Sequence, residues 1–548
     1  MKGKLRLLLL FFMITISSLL ELLSVSLIVP VINIIIDPAY QLFDMKIINN
    51  FLTKENLILL IILVVVGSYI SRFLILFWQI KFSNEIGNFF VKKLLEGTFK
   101  ISYIKFLEVG SSNITTTIQN RVSSLVNETL IPFVSIIQAV VTVSVIFVGL
   151  AYINFFVSIW LVSLILACYI LIFVISRKKI KKIGQSININ TTKLLQNLKE
   201  ILLIFREIKL YQVETKFSSN YSDRDLYNRR QNGYKEILGF LPKFFVEPIL
   251  FIALIGLVYL MSIPNFSKTL TVGELIAIIF GLQKCFPMLQ NSYSSITNIR
   301  AGYPQLKQLV AFASLKSSNV ASHIIEQNKD YILRADNINY AFHNGKTILK
   351  NVTFQCGMGE KICVVGESGS GKSTLLNMIM GIIQPNSGSI RSFNNHPESG
   401  NSSEISFVSQ HPVLVEGTVL ENILLFEKNS EKLDWSRLKK CYLAACLDLV
   451  FKDFEQGIHA KVIEEGGNLS GGQKQRISIS RCLYRNASLV LLDEATSALD
   501  KNTSKLFLKR IKDLYPDSAF ICISHNSDVI KSFDKVLELK DGNLNVIT

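Results

Sequence analysis

Six apolar runs, near residues 7–36, 57–80, 131–152, 155–176, 239–262 and 270–292, govern what this 548-residue chain can fold into. Each is long enough to cross a hydrocarbon core, which takes about 20 apolar residues in a helix. Inside a bilayer every backbone N–H and C=O must be satisfied by the chain itself, so the runs read as membrane-spanning helices. A chain with 49% hydrophobic residues is also too apolar to be wholly soluble, and this one is too long for a single domain. Its charge is divided unevenly: residues 1–324 hold 32 Lys plus Arg against 16 Asp plus Glu, whereas 325–548 hold 26 against 26. The net charge of +16 therefore belongs to the apolar half. A surplus threaded among such runs points to a membrane surface and away from nucleic acid.

Orientation follows from where the cations fall. RKKIKK at Arg177 to Lys182 follows the fourth run, while the loops on the other side carry only Lys46, Lys54 and Lys268. The positive-inside rule then puts both termini in the cytoplasm, in a multi-pass protein of the inner (cytoplasmic) membrane. KGKLR before LLLLFFMITI has the look of a signal peptide, but the apolar pattern continues past Pro30 with no small-residue cleavage site, so a retained span is expected. Residues 81–130 and 177–238 are polar, helical in periodicity and free of proline, and are read as spans continuing into the cytoplasm. Glu21, Arg72, Glu247 and Lys284 fall in or near spans, where ionisable groups are costly. Two readings stay open: they pair with one another, or Arg72 and Lys284 meet an anionic headgroup, one as a bidentate fork and one as a point charge. The eight cysteines make no C-x-x-C, so neither a disulfide frame nor a zinc site is expected.

Beyond the last run the chemistry changes. GESGSGKST at Gly366 to Thr374 fits G-x-x-x-x-G-K-[ST], with Glu367, Ser368, Gly369, Ser370 and Gly371 forming a loop whose backbone N–H groups can curl round phosphates. It lies between the strand-like KICVV and the helical STLLNMIMGII, which aims a helix N-terminus at the anion. Lys372 is expected to neutralise terminal phosphates and Ser373 to help hold Mg2+. SLVLLDEATSALD, from Ser488 to Asp500, reads as a buried parallel strand ending in two acids. Asp493 suits a metal, and Glu494 suits the orienting and deprotonation of an attacking water. Between the two motifs stands LSGGQ, Leu469 to Gln473.

In this order, these motifs make residues 330–548 resemble the nucleotide-binding domain of an ATP-binding cassette (ABC) transporter. The resemblance implies further roles. Phe342 aligns with the aromatic that stacks on adenine, where the family more often has Tyr. Gln410 aligns with the glutamine that senses metal and water, and Glu464 with the acid just before the signature. Ser470, Gly471, Gly472 and Gln473 would meet the γ-phosphate of ATP held by another subunit. Asp500 corresponds to the acid of the loop that crosses the dimer interface, and His525 to the switch histidine. The implied fold is an all-α, six-helix membrane domain of exporter type over residues 1–320, followed by an α/β P-loop NTPase domain. Implied coupling helices lie near Phe106 to Asn113 and Val213 to Asn220, and a polar linker near Ser314 to Lys329. The implied assembly is a dimer, most simply of two copies, since neither half of the ATP site looks degraded; a heterodimer with another intact half-transporter stays open.

Cargo is carried by looser signals. ELLSVSLIVPVINIIIDP, LPKFFVEP and QKCFPMLQNSYSSI resemble segments of exporters that flip lipid-linked oligosaccharides, which also carry a short external helix where Ala39 to Leu52 lie here. Two alternatives are a peptide or bacteriocin exporter, or another lipid or drug exporter of the same class, and an ABC ATPase that moves no solute and is merely tethered to the membrane. Six spans with long polar extensions weigh against tethering.

Overall fold

The computed structural model describes residues 2–36, 54–261, 272–315, 324–326, 331–341, 345–393, 405–425 and 433–547. Phe342, the segment 39–52 and most of the expected linker lie outside these. Two compact units result: Met1–Ile101 with Lys105–Ser317, and Ser102–Ile104 with Ser318–Thr548.

Among the described residues, the first unit has six helices long and apolar enough to cross a membrane: Leu5–Ile32, Ile58–Thr98, Ser111–Ile153, Phe155–Leu203, Glu214–Tyr259 and Val272–Ala313. Each contains an apolar stretch, and large side chains such as Leu8, Phe73 and Ile175 stand exposed there, as a lipid-facing surface requires. Inward faces combine large apolar side chains such as Ile146, Leu161 and Ile278 with hydroxylated residues. The hydroxyls of Ser18 and Thr142 lie 2.9 Å apart, as do those of Ser176 and Tyr293, and Gln79 donates to the Ile131 carbonyl at 2.7 Å. With little hydrophobic drive between helices in lipid, such contacts and close packing do the joining. At Gly184 even a methyl group would lie 2.3 Å from the Ala301 carbonyl of the helix Val272–Ala313.

The polar stretches continue the spans as expected, but the short helices between them are Tyr103–Val109 and Phe205–Tyr211. The expected positions, 106–113 and 213–220, run too far along the chain. Gly110, at φ 77°, ends the first, and Gln212, at φ 53°, ends the second, so Glu214 already starts the next long helix.

In the second unit a six-stranded sheet runs in the spatial order Asn543–Val546, Lys535–Lys540, Lys361–Val365, Ala519–Ile523, Leu489–Asp493, Ile405–Val408. All neighbours are parallel except the terminal pair Lys535–Lys540 and Asn543–Val546. The strand Ala519–Ile523 is buried along its whole length, which explains its unbroken apolar sequence. A four-stranded sheet, Ile324–Glu326, Ser387–Phe393, Tyr331–Ala341, Thr347–Gly357, accompanies it, antiparallel except where Ile324–Glu326 meets Ser387–Phe393. Register then decides the site: Ile523 pairs with Asp493 on one side and Val364 on the other, and Val408 with Leu492. The chain therefore leaves four strands at one carboxyl edge, where ligands of open α/β sheets bind.

A candidate nucleotide site at the carboxyl edge of the sheet

The phosphate loop leaves the strand Lys361–Val365 and enters the helix Lys372–Ile379. Gly366, Gly369 and Gly371 have φ of 155°, 82° and 106°, and a Cβ at Gly366 would lie 2.4 Å from the Leu539 carbonyl. Only glycine takes these positions without strain, so the loop curls with its backbone facing inward. Glu367, Ser368 and Ser370 follow the same curve, and the loop lines a cavity of about 430 Å³ whose walls carry Lys346, Lys350 and Lys540. Lys372 donates to the carbonyls of Gly366 at 2.8 Å and Glu367 at 2.7 Å. Burial pushes its ammonium below the usual lysine range, opposed by the nearby Glu494 and Asp493 carboxylates. The Ser370 hydroxyl is buried and has no hydrogen-bond partner among the described residues. Ser373 and Thr374 sit in the first turn of the helix.

Asp493 ends its strand half-buried, and burial together with the Glu494 charge raises its carboxyl above the usual range against the pull of Lys372. The next residue turns sharply: Glu494 has φ 47°, and its N–H donates to the Ile523 carbonyl at 3.1 Å. That turn sets one carboxylate oxygen 2.7 Å from Gln410 Nε2 and the other 3.6 Å from His525 Nε2. Three residues from three strand ends thus converge.

Ser470 caps the helix Gly471–Tyr484 through a reciprocal box in which its hydroxyl accepts from the Gln473 N–H and the Gln473 side chain accepts from the Ser470 N–H. Gly472 packs so closely on the loop before Asp500 that a Cβ would stand 2.8 Å from the Ala498 carbonyl. Asp500 accepts from the Asn502 and Thr503 N–H groups and the Thr503 hydroxyl, which hold its carboxyl below the usual range. Glu464, itself exposed, opens a short 3₁₀ turn that ends at buried Gly466.

Sequence reasoning missed Gln475, Asn422 and Arg481. Gln475 Nε2 reaches the Glu494 carbonyl at 3.5 Å. Buried Arg481 donates to the Asn422 carbonyl at 2.7 Å and the Val413 carbonyl at 3.0 Å, tying the helix that follows LSGGQ to the segment after Gln410. Only the capping box Thr418–Glu421, beside Asn422, left a trace of this in the sequence.

The intramembrane charges separate into two groups. Arg72 donates to the Glu21 carboxylate, which is 1% exposed, and Lys284 donates to the Ser24 hydroxyl one turn away. The mutual-pairing reading describes Glu21 and Arg72, yet Glu21 Oε2 and one Arg72 nitrogen lack a hydrogen-bond partner among the described residues. Glu247 instead lines a cavity of about 560 Å³ with Lys243, Phe286, Gln290 and Asn291.

Comparisons with known proteins bear on the family of the nucleotide domain and on the fold. Residues 349–497 match the family described as "ABC transporter". The chain is 27% identical over 374 residues to ATP-dependent lipid A-core flippase 2 of Colwellia psychrerythraea, covering 67% of this chain and 63% of that one. To the ATP-dependent lipid A-core flippase of Pectobacterium atrosepticum it is 29% identical over 420 residues, covering 72% and 69%. Over 201 residues it is 35% identical to ABC transporter B family member 13 of Arabidopsis thaliana, covering 36% of this chain and 16% of that one. A bacterial Atm1-family ABC exporter solved with ATP bound superposes with a TM-score of 0.81 at 19% identity, over 99% of this chain and 94% of that one. Residues 349–497 thus carry a domain of the ABC transporter family, in a chain that shares its fold with a bacterial ABC exporter and has six helices long and apolar enough to cross a membrane.

Proposed function

We propose that the chain hydrolyses ATP to flip an amphipathic, lipid-linked glycan across the cytoplasmic membrane, working as a homodimer by alternating access. The observation that carries the ATPase half is the convergence of Gln410 and His525 on Glu494 at the sheet edge that also bears the phosphate loop. Glu494 accepts the proton of the attacking water, and His525 and Gln410 hold the carboxylate and the water in line. The loop 366–374 and Lys372 hold the phosphates, for which the unpartnered Ser370 hydroxyl and the lysine-rimmed cavity are suited. The family resemblance assigns stacking on the base to Phe342. Ser373, Asp493 and Gln410 would supply oxygen donors to Mg2+, a hard cation that takes such ligands, and the ion would contribute neutralisation of phosphate charge. Ser470, Gly471, Gly472 and Gln473 complete the site of the partner copy, with Asp500 at the seam.

The lipid A-core flippases among the relatives support the cargo class. Arg72 and Lys284 bear a surplus of one positive charge over Glu21, which suits a phosphate-bearing headgroup, and the cavity beside Glu247 offers apolar and polar walls for an amphipath. The test is ATPase stimulation in proteoliposomes by polyprenyl-pyrophosphate sugars against peptides. The expected result is stimulation by the lipids alone; stimulation by a peptide and by no lipid would overturn the cargo.

A further inference from the structure

A groove of about 190 Å³, lined by residues of the helices Lys2–Ser26 and Lys54–Thr98, lies apart from every residue assigned above. Its apolar lining runs from buried Leu10 to the exposed Leu9 and Trp78, and its charged rim is Arg6, Lys81 and Glu85. Arg6 donates through one terminal nitrogen to Glu85 and remains 48% exposed, leaving further N–H groups of its fork free to donate outward. The Lys81 ammonium stands 5.5 Å from the centroid of the Trp78 ring and has no anionic partner among the described residues. The rim thus carries one net positive charge at the mouth of an apolar trough. By the distribution of cations along the chain, both Arg6 and Lys81 mark the cytoplasmic ends of their spans. Trp at this level is an interfacial anchor, and the cytoplasmic leaflet is the one rich in anionic lipid.

We propose that this groove is a binding site for one anionic diacyl phospholipid of the surrounding bilayer, its phosphate held between Arg6 and Lys81 and one acyl chain lying along Leu9 and Met13. Charge complementarity selects the headgroup, because a zwitterionic lipid offers the two cations no net charge. The trough selects a lipid over free phosphate, which has nothing to bury there. The site is distinct from the transport route: it shares no lining residue with the cavity at Glu247 and none with the Glu21, Arg72 and Lys284 group.

The test is native mass spectrometry of the full chain in detergent, titrated with phosphatidylglycerol and with phosphatidylcholine of matched chains. Binding is read without ATP or cargo, so its failure would leave the transport proposal standing. Phosphatidylglycerol should bind about tenfold more tightly, and Lys81→Gln should weaken it about fivefold, the effect of one cation near a lipid surface. The pair Arg6→Gln and Lys81→Gln should erase the preference. Glu85→Gln, which breaks the ion pair but keeps both cations, should preserve or strengthen binding. Equal affinity for the two lipids, a preference untouched by the double substitution, displacement of the lipid by inorganic phosphate, or loss of binding in Glu85→Gln would each overturn the proposal.

Discussion

Glu494 occupies a backbone region that few residues with a side chain enter, at φ 47°, and the turn is what points its carboxylate between Gln410 and His525. Its neighbour Asp493 has a raised carboxyl because burial and the Glu494 charge both oppose ionisation. A carboxyl raised on folding favours the folded chain while protonated and loses that contribution as pH rises through its folded pKa, so cation binding, which needs the ionised form, supplies what deprotonation removes. Mg2+-dependent nucleotide binding should therefore weaken on acidification before the ordinary aspartate range is reached. Glu494→Gln removes the like charge and should move that midpoint to lower pH, measured as nucleotide affinity against pH with and without Mg2+. Placements set by a local pattern were legible in sequence: Lys372 at the start of the helix after its loop, Glu494 after its strand, Ser470 capping its helix. Arg481 and Gln475 were not, because their partners lie across the fold and nothing local to them announces the contact.

Helix termini show the same division at the next scale. The spans were readable because lipid demands long apolar helices, and the parallel strands because burial on both faces leaves unbroken apolar runs. The first short helix ends at a glycine, a visible signal, but the second ends at Gln212 in the left-handed region, where the residue type gives no warning. That is why the expected helix at 213–220 fell one element late. Close helix approach is equally silent until both helices are in place. Gly184 meets the Ala301 carbonyl with no room for a methyl group, so Gly184→Ala should force the helices Phe155–Leu203 and Val272–Ala313 apart. The expected cost is about 1–3 kcal/mol, the range for overpacking, seen as a lower thermal midpoint in detergent. An unchanged midpoint would mean that the two helices do not approach so closely.

For the whole molecule, sequence patterning conveyed a nucleotide-binding fold behind six apolar helices, while the proposed cargo left only loose traces, since a cavity such as the one at Glu247 is assembled from residues far apart in the chain. The dimer proposal makes a separate prediction. If each phosphate loop faces the other copy's LSGGQ, then Lys372→Ala chains and Ser470→Arg chains should each be inactive alone. Co-expressed, they should form mixed dimers with one intact site and recover part of the ATPase rate. No recovery would indicate that each chain completes its own site. The proposed coupling of hydrolysis at Glu494 to lipid movement is read from the leaflet exposure of a labelled polyprenyl-pyrophosphate sugar in proteoliposomes, for the parent chain and Glu494→Gln. Expected are ATP-dependent exposure by the parent and, in the variant, retained ATP binding with hydrolysis and exposure both reduced by about 10² or more. Lipid exposure at the parent rate in Glu494→Gln, or none in a parent that hydrolyses ATP, would contradict it.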